Sequence, residues 1–237
     1  MSYLGFHAIF IFPPLLVLAW LNRGRLSRVH PRAGVFLIAM TMIALIYTTP
    51  WDNYLIWRGV WTYSADRVIG VIGYVPIEEY LFFVLQPLLS GLWLYLLLPT
   101  DRRIASRWAT WFGAAIYFAL AIIGVLLLTR PDGTYLGLIL VWAAPVLAMQ
   151  WAYAGREIWR RRGAWALGVA APTLYLWIAD SVAIRLEIWQ ISEAHTLGIT
   201  FGSLPLEEAV FFLVTNLLVV QGLLLFIYPP RQAGPAR

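Results

Sequence analysis

Val75–Gln86 reads VPIEEYLFFVLQ, and 129 residues later Leu204–Thr215 reads LPLEEAVFFLVT. A proline and two adjacent glutamates open an otherwise apolar run, and Pro, Glu, Glu, Phe and Phe then recur in register. Each run is long enough to cross a bilayer, which takes roughly 17–25 apolar residues. Working outward gives seven such runs: Tyr3–Leu21, Ala33–Pro50, Val75–Leu98, Trp108–Leu128, Thr134–Tyr153, Ala164–Ala183 and Leu204–Ile227. The composition agrees. Of 237 residues 61% are hydrophobic and 12% charged, with a mean hydropathy of +0.74, whereas soluble domains carry about 25% charge. The opening MSYLGFHAIF has neither a basic leader nor a small-residue cleavage site, so it reads as a first span and not as a signal peptide.

The formal charge of +5 belongs to membrane orientation, not to nucleic acid. All seventeen basic residues are arginine. Thirteen lie on one side of the seven spans: Arg23, Arg25, Arg28 and Arg32, then Arg102, Arg103 and Arg107, then Arg156, Arg160, Arg161 and Arg162, and finally Arg231 and Arg237. Arg58, Arg67, Arg130 and Arg185 lie on the other. Short basic loops stay cytoplasmic, which predicts an outside N-terminus, an inside C-terminus and a multi-pass protein of the cell membrane.

The echo extends beyond the glutamates. Asp52 precedes Trp61 by nine residues, as Asp180 precedes Trp189; Gly73 stands three before Pro76, as Gly202 before Pro205. The expected fold is therefore an all-α membrane protein of two parallel three-helix repeats, residues 1–98 and 133–237, joined by a linker with span four over 99–132. Four crossings separate equivalent positions, so Asp52, Glu78 and Glu79 share a membrane face with Asp180, Glu207 and Glu208. Six of the twelve acidic residues converge on one end of the bundle, and membrane repeats commonly hold a binding site where they meet.

A proline at a helix start with acids in the first turn is also plain helix-end chemistry. One acid would serve that purpose, however, and carboxylates are costly near hydrocarbon, where they usually mark function. Adjacent helical residues point about 100° apart, so one glutamate of each pair can face the bundle and the other a neighbour. The sequence excludes several chemistries. Three scattered histidines do not make a multi-histidine oxygenase, no phosphate loop or dinucleotide fingerprint occurs, no cysteine offers a thiolate, and no lysine offers a retinal Schiff base. What remains is proton chemistry on something apolar. A buried carboxylic acid can donate while a differently placed carboxylate accepts, and aromatic faces stabilise a cation. Trp61, Phe82, Phe83, Trp189, Phe211 and Phe212 are the candidates for holding the substrate, although tryptophan belts occur at any membrane interface.

Pro-x-Glu-Glu heading a span in each of two halves resembles the non-flavin lycopene cyclase family of archaea and fungi, in its fused form. Tyr47–Tyr63, YTTPWDNYLIWRGVWTY, is similar to the segment before the first motif in that family. The resemblance implies redox-neutral cyclisation of the linear ends of lycopene to give γ- and β-carotene, with no cofactor and no metal. It assigns acid–base roles to Glu78, Glu79, Glu207 and Glu208, with Asp52 and Asp180 as partners, and does not say which glutamate is acid and which is base. The expected partners are a lipophilic carotenoid, membrane lipid and other enzymes of carotenoid synthesis. Two alternatives stay open: a cyclase for elongated carotenoids or for one end only, and a proton-coupled transporter, which would place its carboxylates at mid-membrane among helices broken by Pro87, Pro145 or Pro172.

Overall fold

The computed structural model describes residues 1–98 and 107–230; Arg102, Arg103, Arg231 and Arg237 lie outside the described residues. The chain is mostly helical, and among the described residues seven helices are long and apolar enough to cross a membrane. They are α1 (Tyr3–Leu21), α2 (Ala33–Trp57), α3 (Ile77–Leu97), α4 (Arg107–Leu127), α5 (Thr134–Arg160), α6 (Arg162–Arg185) and α7 (Leu206–Ile227). In α1 the turn His7–Ile11 is a wide π-turn, set just before Pro13 and Pro14, whose rings do not fit a normal helical turn.

Several helices outrun the apolar stretches. The second run ends at Pro50 by hydropathy, but α2 continues to Trp57 and so carries Asp52 inside a helix. Pro50, Pro87, Pro145 and Pro172 all stand inside continuous helices. Proline is tolerated there because neighbouring groups in a bundle take up the freed carbonyls. The break that does occur is at Ala154, with φ −139° and ψ 24° in α5, at the arginine-rich end and remote from any proline.

α3 and α7 form the centre, with 61% and 67% of their apolar stretches buried, against 11% for the peripheral α4. They are joined by amides rather than by apolar contact alone. Gln86 Nε2 and Ser90 Oγ both donate to Asn216 Oδ1, at 2.8 and 2.5 Å, and Asn216 Nδ2 donates to Thr173 Oγ1 of α6 at 3.0 Å. Buried amides in hydrocarbon must find partners, which fixes the register of the two helices. α4 packs along α5 through glycine. A Cβ on Gly124 would stand 2.8 Å from Leu140 Cβ, and one on Gly137 2.9 Å from the Gly124 carbonyl oxygen, so each glycine lets the other helix approach.

The connections are not plain loops, and all-α holds only for the spans. Among the described residues six short strands lie at one end of the bundle: β1 (Trp61–Tyr63), β2 (Val71–Ile72), β3 (Val75–Pro76), β4 (Trp189–Ile191), β5 (Thr200–Phe201) and β6 (Leu204–Pro205). β2–β3 and β5–β6 are hairpins with two-residue turns, in which Gly73 and Gly202 each adopt φ +67°. That is the left-handed backbone a tight hairpin demands and that glycine enters without strain. β1 and β4 pair antiparallel, with Trp61 opposite Ile191, Thr62 opposite Gln190 and Tyr63 opposite Trp189. Pro76 and Pro205 end their hairpins as N-caps, so each proline lies one residue ahead of its helix and not at the first helical position.

Candidate functional site: a carboxylate cage at one end of the bundle

The shift of the prolines decides where the glutamates point. Glu78 and Glu207, second in their helices, turn back toward the loops. Glu78 Oε1 accepts the Ile69 N–H at 2.8 Å, and Glu207 Oε1 accepts the Leu197 N–H at 2.8 Å. The first helical amides close the same loops, Ile77 N–H on the Gly70 carbonyl at 2.9 Å and Leu206 N–H on the Ile199 carbonyl at 2.8 Å. Both side chains are buried, and each latches its hairpin against its helix start.

Glu79 and Glu208 are one residue further on, rotated by about 100°, and face the interior. Glu79 Oε2 accepts two phenols, from Tyr3 at 2.5 Å and Tyr63 at 2.9 Å. Glu208 Oε1 accepts one, from Tyr135 at 2.6 Å. Asp180 Oδ1 accepts the Trp189 indole N–H at 3.1 Å. Asp52 is fully buried, and neither of its oxygens has a donor among the described residues. Asp52 and Asp180 each lie within electrostatic reach of Glu79 and Glu208, and the two glutamates within reach of each other. Of the six predicted acids, four thus come together and two face the loops.

Aromatic rings close the cage. Tyr3 stacks on Tyr63 at 6.0 Å between centroids and leans on Trp189 at 5.0 Å. Trp61 meets Tyr135 and Phe211 edge-on, each at 5.8 Å, and Phe82 meets Phe212 edge-on at 6.2 Å. The space these groups enclose is about 20 Å³, room for one water. Burial and the neighbouring Glu79 push the Tyr63 phenol well above its ordinary range, so it stays a donor. Five of the six predicted aromatics line this space; Phe83 instead lines a larger apolar cavity beside it.

Sequence reasoning missed Tyr3 and Tyr135, two of the three tyrosines that hold the glutamates. Their signal was present: Tyr3-Leu4-Gly5 in the first span recurs as Tyr135-Leu136-Gly137 in the fifth. It also missed His7, wholly buried against Tyr3, with both ring nitrogens lacking a partner among the described residues.

The chain matches the family model for lycopene cyclase over residues 1–98 and 132–226. It is 44% identical over 229 residues to a lycopene beta-cyclase of Halobacterium salinarum, covering 96% of each chain. It is 37% identical over 236 residues to a bifunctional lycopene cyclase/phytoene synthase of Gibberella fujikuroi, covering 94% of this chain and 40% of that protein. The corresponding Aspergillus niger protein is 40% identical over 199 residues, 76% of this chain and 33% of the other. No solved structure matches. A family model that covers both halves, together with a relative alike over nearly its whole length, establishes that the chain belongs to the lycopene cyclase family.

Proposed function

We propose that this chain is a lycopene β-cyclase acting by proton transfer within the carboxylate cage. The observation that carries the reading is that Glu79, Glu208 and Asp180 line one space with aromatic walls at the head of α3 and α7, with Asp52 buried within electrostatic reach of both glutamates. A carboxyl of the cage protonates the terminal double bond of a linear end group. The resulting carbocation is attacked by the neighbouring double bond, a six-membered ring closes, and a carboxylate of the same cage removes a ring proton. One proton enters and one leaves, so the product has the mass of the substrate and no redox partner is needed. Aromatic faces toward the cage favour the cation by about 0.5–2 kcal/mol each when desolvated.

The hydrogen bonding divides the roles. Two phenols on one oxygen of Glu79 serve an anion, which supports Glu79 as the base. Glu208, with a single phenol, is then the acid, and Asp52 and Asp180 hold charge and proton beside them. Glu78 and Glu207 keep the hairpins closed over the helix starts and do not touch the reacting carbon.

The two-repeat arrangement, residues 1–98 and 133–237 around a linker at 99–132, is supported by paired contacts. Tyr3 serves Glu79 as Tyr135 serves Glu208. Tyr47 donates to the Trp142 carbonyl at 2.8 Å, and Tyr175 to the Phe10 carbonyl at 2.6 Å. The arginine distribution supports an outside N-terminus in the cell membrane, with the cage at the outer end. Carboxylates at the helix ends and helices unbroken at their prolines favour an enzyme over a transporter.

The test is expression in bacteria that accumulate lycopene, with the pigments separated and weighed by mass spectrometry. Isomers of unchanged mass with one or two rings are expected, and absorption distinguishes the two. Unaltered lycopene with the protein present in the membrane would overturn the reading.

A further inference from the structure

Beside the cage lies a cavity of about 290 Å³ that the proton chemistry does not use. It runs between α2 and α5, with α3 and α7 at its back. Phe82 and Phe211 line both spaces, so the cavity begins where the cage ends. Along α7 its wall extends from Phe211 to Phe226, about 22 Å at 1.5 Å per residue, which is most of the ~30 Å hydrocarbon core. Near the far end, a Cβ on Gly222 would stand 2.6 Å from Met40 Sδ, so glycine there preserves the depth. Ile43 and Tyr47, 47% and 41% exposed, form the edge on the side of the lipid.

Most of the polar side chains of the walls are turned into the protein. Thr215 Oγ1 donates to the Phe211 and Phe212 carbonyls. Gln86 Nε2 donates to Ser90 and Asn216, Gln150 Nε2 to the Leu218 carbonyl, and the Tyr47 hydroxyl to the Trp142 carbonyl. Trp142 Nε1 and Gln150 Oε1 have no partner among the described residues but are buried out of reach of the cavity, so the walls offer mainly hydrocarbon and ring faces. A lipid headgroup would need accessible donors, and a hydrated pathway would need polar walls. A long apolar chain needs neither.

We infer that this groove is the polyene-binding site: a conjugated hydrocarbon enters sideways from the bilayer between α2 and α5 and lies along α7, its end group against Phe82 and Phe211 at the mouth of the cage. The inference rests on the cyclase reading and supplies what that reading lacks, a place for the long body of the substrate. It also explains how a site at one end of the bundle is fed from hydrocarbon.

The test reads binding apart from turnover. Lycopene is achiral, so its visible absorption gains circular dichroism only when a chiral site holds it. Purified protein in detergent is titrated with lycopene, and the induced signal is followed for the parent chain, for Ile43→Trp and Ala44→Trp in the groove, and for Ile46→Trp. Ile46 is on the same helix, 67% exposed and outside the groove. Saturable induced dichroism is expected in the parent and in Ile46→Trp. A tenfold or greater loss of apparent affinity is expected in both groove variants, each checked for parental elution and melting. In lycopene-accumulating cells the groove variants should lose at least tenfold in conversion. Equal signals in parent and both groove variants, or no induced signal in the parent, would overturn the assignment and leave the cavity to bilayer lipid. An induced signal lost in the groove variants, with no cyclised product from the parent, would keep the groove and overturn the cyclase reading.

Discussion

Replacing Glu79 by glutamine separates the glutamate that faces the cage from the one beside it. The amide would keep the size of the side chain and an oxygen for Tyr3 or Tyr63, which now stand 2.5 and 2.9 Å from Glu79 Oε2, but it cannot take a proton from carbon. A positioned acid or base typically contributes 10²–10⁴ in rate, or about 2.7–5.4 kcal/mol at 1.36 kcal/mol per tenfold. Glu79→Gln and Glu208→Gln should each fall by that range. Glu78→Gln should not. Its Oε1 accepts the Ile69 amide at 2.8 Å, and a glutamine oxygen can accept the same bond. Any weakening of that bond costs about 1 kcal/mol and falls on a loop, so the rate should stay within about fivefold. The assay uses purified protein in lipid vesicles with lycopene in heavy water, the pigments then being resolved by chromatography and mass. Without the base, the cation can collapse only by losing a proton beside the cationic carbon, and loss of the original hydrogen in place of the added deuteron makes Glu79→Gln give back lycopene carrying deuterium at its ends. Without the acid, Glu208→Gln should give back unlabelled lycopene. Loss of cyclisation in Glu78→Gln with full rate in Glu79→Gln would refute the division between latch and cage. Label in Glu208→Gln and none in Glu79→Gln would reverse acid and base.

Tyr135 is the single phenol on Glu208 among the described residues. Removing it in Tyr135→Phe leaves a buried carboxyl without that donor at a cost of about 1–3 kcal/mol, so initial cyclisation rates should drop about 5- to 150-fold, and an unchanged rate would mean that the bond does not position the acid. Gly73→Ala and Gly202→Ala force a side chain into left-handed backbone at about 1–2 kcal/mol each. Gly73→Ala should melt lower in detergent, because its Cβ would also collide with Asn53 Oδ1 while nothing lies within 4 Å at Gly202; equal melting would contradict the packing at Asn53. The chain has no cysteine, so an impermeant maleimide should label Asp66→Cys on intact cells and leave Gly163→Cys unlabelled, whereas the opposite pattern would invert the proposed topology.

The spans were legible because hydropathy is an additive property of composition, and the recurrence of Pro-x-Glu-Glu marked the two helices that prove most central. The pairing of acids across the chain was legible too, from spacing alone. Which glutamate of each pair enters the cage was not. It depends on whether the proline is the cap or the first helical residue, a shift of one position that rotates every later side chain by about 100°. The prolines are caps because they close two-residue hairpins, and two-residue strands are too short to show a period. Tyr3 and Tyr135 were hidden for another reason: one tyrosine at the end of an apolar span reads as interface belt, and only contact with a glutamate more than seventy residues away gives it a role. The groove was equally invisible, since its walls come from four helices and most of its polar members are silenced by bonds that hydropathy cannot see.

On the duplication reading, a repeated half supplies two equal glutamates, whereas an acid–base cycle needs unequal ones. The inequality comes from single positions around an otherwise matched frame. Tyr63, two residues after Trp61, gives Glu79 its second phenol; Ile191, two residues after Trp189, has none to give. Trp189 donates to Asp180, whereas the Trp61 indole nitrogen lies near Glu208 and Tyr135 without a formed hydrogen bond, and Asp52 receives no donor among the described residues. The antiparallel β1–β4 pair sets Tyr63 opposite Trp189 and Trp61 opposite Ile191, so each half lends its aromatic to the edge of the other. The two strands join the halves at the one place where a difference between them changes what a carboxylate can do. Equivalent glutamates thereby sit in one cage with unlike neighbours, which on the proposed mechanism lets one give a proton to carbon and the other take one away.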